Sequence, residues 1–477
     1  MKKIMNWVLA ATLVCGPSVF TSCSSNEDSP SPAEQSKKDR KEFVAHTRQT
    51  LKYMAENMNF GTWEAANSLN QNFNEYVLNN PNFQKAIIPL FLQKIQESTK
   101  PVEEGSELAE MGYTMYSTMD LTDFNYRFTM NDENTGFIIE PAEDFEMILN
   151  SYNPETMQIE KGTFKLTLKS GGQSYGMLVS RMSTKDVAVV ALVPEDFAYA
   201  ISYKLMDSWM DAFTGTFKNL TKNSDPSKII NQQNDGYTIS GTLTSNIPAI
   251  AQTGKAADAT TINFLIDSDR KAKQGTAMVG FEQNGQKMVE LDLKMSYDEQ
   301  INLFNLDLTQ FSGSSSIIEL LSAILQTRSL DEGKITLLDD LETTISISDM
   351  AKAIQVAREM AHARRNYADQ QTINGYTDQL NDLISATMTC KGVNQTIPMR
   401  LVTTKIGVDW WTVPGLNFAD ENGYVAITDM LDKESVEYGF NILDHAVEPM
   451  TQSMITTRQL IQFIQTFLIP NVRAIGR

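Results

Sequence analysis

Between residues 43 and 95 apolar side chains recur every three or four positions, and from Phe124 onward the spacing shortens to every second one. Phe43, Thr47, Leu51, Met54 and Met58 mark one face of an amphipathic helix that ends near Gly61. Trp63, Ala66, Leu69, Phe73 and Val77 mark a second, capped by Thr62. Phe83, Ile87, Leu90, Phe91 and Ile95 mark a third, with Pro81 at its entry and Pro89 placed to kink it. A further helix is expected over Glu103 to Met119.

Beyond Phe124 the period-two pattern predicts strands. Phe164, Leu166 and Leu168 alternate with Lys165, Thr167 and Lys169, and Ser170-Gly171-Gly172-Gln173 reads as a hairpin turn before a strand over Tyr175 to Met182. Asp186 to Val193 is apolar on both faces and suits a central strand, while Ile262, Phe264 and Ile266 alternate with polar neighbours. Asn284-Gly285 between Ala277, Val279, Phe281 and Val289, Leu291, Leu293 is the strongest hairpin signal, because Asn-Gly supplies two positive-φ positions. Leu303 to Leu308 continues the meander, and Leu205 to Leu220 is expected as a helical interruption.

The C-terminal third mixes both periods. Ile317 to Leu325 reads as a helix, and Asp349 caps another that carries Ile354, Ala357, Ala361 and Arg364 to near Tyr367. Leu383 to Cys390 and Ile397 to Lys405 form a hairpin about Gly392-Val393-Asn394, and Met454, Ile461, Ile464 and Leu468 stripe a last helix between Pro449 and Pro470. The expected fold class is α+β: a helical N-terminal segment (43–120) on a large antiparallel sheet of eight to ten strands (121–310), then a mixed region (311–477). No repeat at a fixed period of 20 to 50 residues points to a solenoid or propeller.

The composition narrows the function classes. At about 150 residues per domain, 477 residues with 42% hydrophobic side chains form two or three domains with full cores. Three His and three Cys, widely spaced, exclude zinc modules, haem attachment and iron–sulfur clusters as expectations, so no metal or cofactor is expected.

The N-terminus carries an address. Lys2 and Lys3 precede an apolar run from Trp7 to Val14 that continues brokenly to Phe20, followed by Thr21, Ser22 and Cys23. The run is shorter than the roughly 20 residues of a membrane span. Residues 1–22 with Cys23 resemble the lipobox signal of bacterial lipoproteins, with Phe20 where an aliphatic residue is usual. Ser24-Ser25-Asn26-Glu27-Asp28 resembles the export signal of surface-displayed lipoproteins in some Gram-negative bacteria. The resemblance covers these 28 residues, and the globular part carries no family motif. It implies cleavage after Ser22, acylation of Cys23, a flexible tether over 23–42, and attachment to the outer membrane, at the cell surface or on its periplasmic face.

Processing removes Lys2 and Lys3 and no acid, leaving 38 Lys plus Arg against 59 Asp plus Glu, a net of −21. That balance opposes nucleic acid and adsorption to anionic bilayers, so membrane attachment rests on acyl chains. Cys15 leaves with the signal and Cys23 is acylated, which makes Cys390 the one remaining thiol and excludes an intramolecular disulfide.

Candidate chemistry is sparse. Gly172-Gln173-Ser174-Tyr175-Gly176 matches G-x-S-x-G, but the strand-like Met177 to Arg181 after it replaces the helix that a nucleophile elbow needs. His46, His362 and His445 lie far apart, and the acidic stretches Asp132 to Gly136 and Asp420 to Gly423 read as turns rather than calcium loops. Trp410 and Trp411 stand before Pro414-Gly415; in a strand they point to opposite faces, one toward the core and one available to a sugar or protein partner. The 22 methionines left after processing suit irregular core filling or an adaptable apolar cavity. The expected function is non-enzymatic binding or scaffolding at the outer membrane, with a glycan, a lipid or an envelope protein as ligand. One alternative is a carrier of lipid in a helix-covered half-barrel, which it resembles in outline only; another is a glycan-acting hydrolase.

Overall fold

The computed structural model describes residues 32–58, 81–153, 158–181, 187–221, 236–246, 259–297, 327–418 and 423–438, except positions 111, 132, 134, 270, 392, 394, 407, 433 and 436. In chain order come helix α1 (Pro32–Asn57), α2 (Pro81–Ser98), β1 (Lys100–Pro101), the short α3 (Glu107–Glu110), β2 (Met115–Asp120), β3 (Tyr126–Met130), β4 (Phe137–Pro141) and β5 (Phe145–Asn153). Long strands β6 (Gln158–Arg181), β7 (Val187–Leu205), β8 (Ser208–Thr221) and β9 (Gly236–Ser245) follow. Then come β10 (Thr260–Asp269), β11 (Gln274–Gln283), β12 (Gln286–Tyr297), β13 (Thr327–Leu337) and β14 (Leu341–Ile347). Helices α4 (Met350–Arg365) and α5 (Gln370–Asn381) precede β15 (Ile384–Cys390), β16 (Ile397–Ile406), β17 (Asp409–Leu416), β18 (Val425–Ala426) and α6 (Ile427–Met430). The fold is α+β with a sheet dominated by antiparallel pairs. Among the described residues, those up to 58 group with those from 262 onward, and 81–261 form a second unit.

In the first unit, strands β11 to β18 pair each with the next, all antiparallel. Asn284 and Gly285, both at positive φ, close the β11–β12 hairpin as their types predict. β14 pairs with β15 although α4 and α5 intervene; each helix is capped by an Asp, Asp349 accepting from Lys352 N and Asp369 from Thr372 N, both at 2.9 Å. The register places Leu337, Leu341, Met388, Cys390, Ile397 and Leu416 on one face, where α1 supplies Phe43, Leu51 and Met54 to the same buried cluster. Arg48 pairs with Asp432 at 2.8 Å, Tyr53 Oη donates to Gln286 Oε1, and Gln283 Nε2 donates to the Asn57 carbonyl, so the C-terminal half of α1 is fastened to the sheet. The opposite face carries Lys294–Glu332 and Lys334–Glu342 ion pairs and meets solvent.

The second unit is built on long strands. β5, β6, β7, β8 and β9 pair antiparallel in sequence, while β2 runs parallel to β7 over Val187 to Leu192 and β3 parallel to β5. The stretch from Val187 therefore lies between two strands, as its apolar character on both faces requires. One sheet face gathers Phe128, Phe145, Met147, Leu166, Leu168, Tyr199, Ile201, Phe213 and Phe217, all buried.

Four expectations are corrected. The tether was expected to reach residue 42, yet α1 starts at Pro32: a Pro at the first position, Glu34 in the first turn, the Gln35–Asp39 bond and the Lys38–Glu42 pair make a helix without an apolar stripe. Of the helix expected over 103–119 only Glu107–Glu110 is helical, and Met115–Asp120 is a strand held between β1 and β7. Gly171-Gly172 is no hairpin turn. β6 runs through it, and the register slips between Gly171 and Ser174 with Gly172 at φ +73°, a bulge that bends a long strand without ending it. Leu205 to Leu220 is the β7–β8 hairpin rather than a helix, with Phe213, Gly215 and Phe217 buried in alternation. The expected elements at 62–77, 303–308, 317–325 and 454–468 lie outside the described residues.

Candidate functional site

Strand β17 holds Trp410 and Trp411 in extended backbone, opposite Lys405 and Thr404 of β16. Thr412, next along, faces the inserted helices: the Thr377 hydroxyl of α5 bonds the Thr412 and Thr403 hydroxyls at 2.7 and 3.1 Å, and Thr412 donates to Met360 Sδ of α4. Strand alternation puts the Trp410 and Trp411 side chains on opposite sides of β17, Trp410 on the side of Thr412. The expected split, one ring in the core and one in solvent, does not occur, because both are half-buried. Long cationic side chains explain it. The Arg364 guanidinium lies 3.3 Å from the centre of the Trp411 ring, and Lys405 Nζ lies 5.7 Å from that of Trp410.

Arg364 comes from the last turn of α4, beside His362 and Arg365, where cations also complement the helix dipole. Burial pulls its pKa below the ordinary arginine value while Asp409 acts in the opposite sense. Its Nε is buried with no hydrogen-bond partner among the described residues. A guanidinium stacked this closely and partly desolvated contributes on the order of 2 kcal/mol.

The end of α4 breaks a local rule. Tyr367 N donates to the Arg364 carbonyl and Ala368 N to the Ala363 carbonyl, a Schellman motif whose left-handed position usually belongs to glycine. Here it is Tyr367, at φ 56° and 83% exposed. A side chain that strains the backbone and buries little is not there for packing. Val408, at the tip of the β16–β17 hairpin, is 83% exposed and Ile406 38%. Exposed Tyr367 thus follows Arg364 by one helical turn and exposed Val408 precedes the Trp410–Trp411 strand, flanking the stacked pair along the chain; Trp, Tyr and Arg are the side-chain types that dominate binding hot spots. Tyr367→Gly should raise stability by about 1 kcal/mol by relieving the left-handed strain. Urea denaturation measures it, and a loss of stability would instead assign the ring a packing role.

The other candidates do not converge. Ser174 lies within β6, its backbone opposite Pro194, with strand on both sides of it. His46 sits in α1 and His362 in α4, where its Nδ1 is 3.2 Å from Asn366 Nδ2; His445 lies outside the described residues. Among the described residues no group of three or more His, Cys, Asp or Glu is placed to hold a metal. Cys390 is buried, and desolvation pushes its thiol pKa up to about 12. The turn at Asp132 to Gly136 is a β3–β4 hairpin in which Asn131 Oδ1 accepts from Thr135 N and Gly136 N. Of the acidic stretch 420–423 only Gly423 is described. On the open face of the first sheet, Glu290, Glu332 and Glu342 are engaged by Lys287, Lys294 and Lys334. Asp292 there has its pKa raised by partial burial first and by Glu290 second.

Sequence reasoning found the two tryptophans through their strand context but not Arg364 as the cover of Trp411, nor the exposed Tyr367 that follows it. A Tyr directly after the Asn366 cap, where glycine is expected, was the available signal for the second. The chain matches no known protein-family profile, no curated protein and no solved structure.

Proposed function

We propose that this chain is an acylated lipoprotein of the outer membrane, displayed at the cell surface, that binds a partner without chemistry of its own through the corner at Arg364, Trp410, Trp411 and Tyr367. The observation that carries the binding reading is Tyr367, a strained and exposed aromatic ring on the helix turn whose Arg364 covers Trp411. The envelope placement rests on the convergence of the charged start, the apolar run and the small residues on Cys23.

Two experiments test the two halves separately. Tyr367→Gly and Val408→Ser should remain folded yet lose retention on immobilised polysaccharides or capture of envelope proteins; unchanged retention removes the corner from the reading. Intact mass of detergent-extracted protein should show loss of residues 1–22 and added acyl chains, and Cys23→Ala should move the chain to the soluble fraction. With each buried methylene contributing about 0.8 kcal/mol, loss of two chains abolishes anchoring outright. A Cys23→Ala chain still held by membranes sinks the anchor.

A second reading has one specific observation in its favour. The Tyr199 hydroxyl, on the apolar face of the second unit, is buried with no hydrogen-bond partner among the described residues, and desolvation drives its pKa far above the ordinary value. An apolar ligand with a polar head would satisfy it, as a lipid carrier requires. Native mass spectrometry of protein taken from cells, with a co-purifying lipid as the supporting result, tests that reading.

A further inference from the structure

The β7–β8 hairpin ends in a tip that local rules do not explain. Leu205 pairs with Ser208, so the connection is Met206 and Asp207 alone. Two-residue turns place Gly, Asn or Asp at positive φ, yet the residue at φ 54° is Met206, and it is 90% exposed. A strained backbone position that presents a thioether to solvent gains nothing for the fold.

Behind the tip the register sorts the side chains onto both faces. Tyr203 pairs with Met210 on one face, the phenol 3.8 Å from the Met210 sulfur, and Met210 is 44% exposed. Lys204 pairs with Trp209 on the other, and Lys165 of β6 lies 5.0 Å from the centre of the indole. Read from the turn inward, Met206 shares the tip with Asp207, Lys204 and Trp209 follow on one face, Tyr203 and Met210 stand one step further on the other, and Lys165 lies opposite Ser202 behind them. At about 3.3 Å per strand residue, Trp209 sits roughly 7–10 Å below the tip. That matches the depth of about 5–10 Å reached by interfacial elements, with aromatics at headgroup level and lysines snorkelling outward.

We propose that the tip around Met206 is a membrane-contact wedge that enters the interface of a lipid bilayer, independently of any acyl chain on Cys23. A bilayer fits better than a protein groove because apolar surface lies on both faces of a convex hairpin: lipid surrounds both, whereas a groove covers one and leaves the other in water. The contact is apolar rather than electrostatic. Lys165 and Lys204 are offset by Asp207 and by Asp211, which accepts from Ser202 at 2.7 Å, and the whole chain is strongly acidic.

The test uses the chain from Ser24 onward, which keeps every described residue and has no acylation site. Met206→Cys is labelled with an environment-sensitive fluorophore, Cys390 being buried and its thiol pushed up to about 12. With phosphatidylcholine vesicles the emission should shift to the blue and be quenched by a nitroxide on the lipid chains, while quenching by aqueous iodide falls several-fold. In the unlabelled chain, Met206→Asp should reduce flotation with vesicles about tenfold, and Met206→Gly, which relaxes the turn and keeps the hairpin, should reduce it as well. Adding anionic phosphatidylglycerol should leave flotation equal or lower. Water-like emission at saturating lipid overturns the proposal. So does dependence on anionic lipid, which marks surface adsorption, and so does a blue shift that requires added envelope protein, which marks a protein socket.

Discussion

Phe43→Ala is expected to lower the unfolding free energy by about 3–5 kcal/mol, because it removes a fully buried ring from the seam between α1 and the first sheet. The ring stands edge-on to Phe418 with centroids 5.8 Å apart and belongs to one cluster with Leu51, Met54, Leu337, Leu341 and Met388. None of these neighbours can fill the void without leaving its own contacts, since interiors are close-packed. Phe43→Leu, which keeps most of the volume, should cost about 1 kcal/mol. Urea denaturation followed by circular dichroism reads both. A loss below about 1.5 kcal/mol for the alanine variant would mean that α1 is not the lid of this core, and with it would go the assignment of residues 32–57 to the first unit.

The second large effect is expected at Gly215, which pairs directly with Tyr199 across β7 and β8. A Cβ there would lie 2.2, 2.7 and 2.9 Å from three ring carbons of Tyr199, closer than carbon atoms approach. The ring cannot step aside, because Phe213 and Phe217 flank it with centroids 5.7 and 5.8 Å away. Gly215→Ala should therefore cost about 3 kcal/mol, the upper end of overpacking penalties. Tyr199→Ala should cost a comparable amount through its cavity, and the double variant should be markedly better than the sum, since each change relieves the other. Additive costs in that cycle would show that the glycine does not exist to seat the ring. Tyr199→Phe should be neutral or slightly stabilising, because the hydroxyl has no partner among the described residues to lose.

What the sequence by itself determined is local. Asn284-Gly285 sets its hairpin because both residues tolerate positive φ, Asp349 caps α4 because its carboxylate reaches Lys352 N, and alternation at Phe164, Leu166 and Leu168 marks a strand face. These outcomes depend on residues within a few positions of each other, where steric and hydrogen-bonding preferences act alone. The α+β class and the dominance of antiparallel pairs were legible for the same reason. The tertiary structure decided the rest. Gly171-Gly172 has the composition of a turn, but 24 continuous residues of β6 find partners in β5 and β7, and satisfying that ladder outweighs the local preference to reverse. The placement of α1 likewise follows partners far along the chain, since Phe43, Leu51, Met54 and Asn57 meet strands more than 200 residues later, and 208–221 is a strand because β7 and β9 flank it on both sides. The candidate site divides the same way. Trp410 and Trp411 could be placed on a strand from their neighbours, whereas Arg364 reaches Trp411 only because the α4–α5 pair is inserted between two strands that still join. Burial and pairing energies between distant segments are several times larger than the preference of any one residue, and they are invisible until the segments meet.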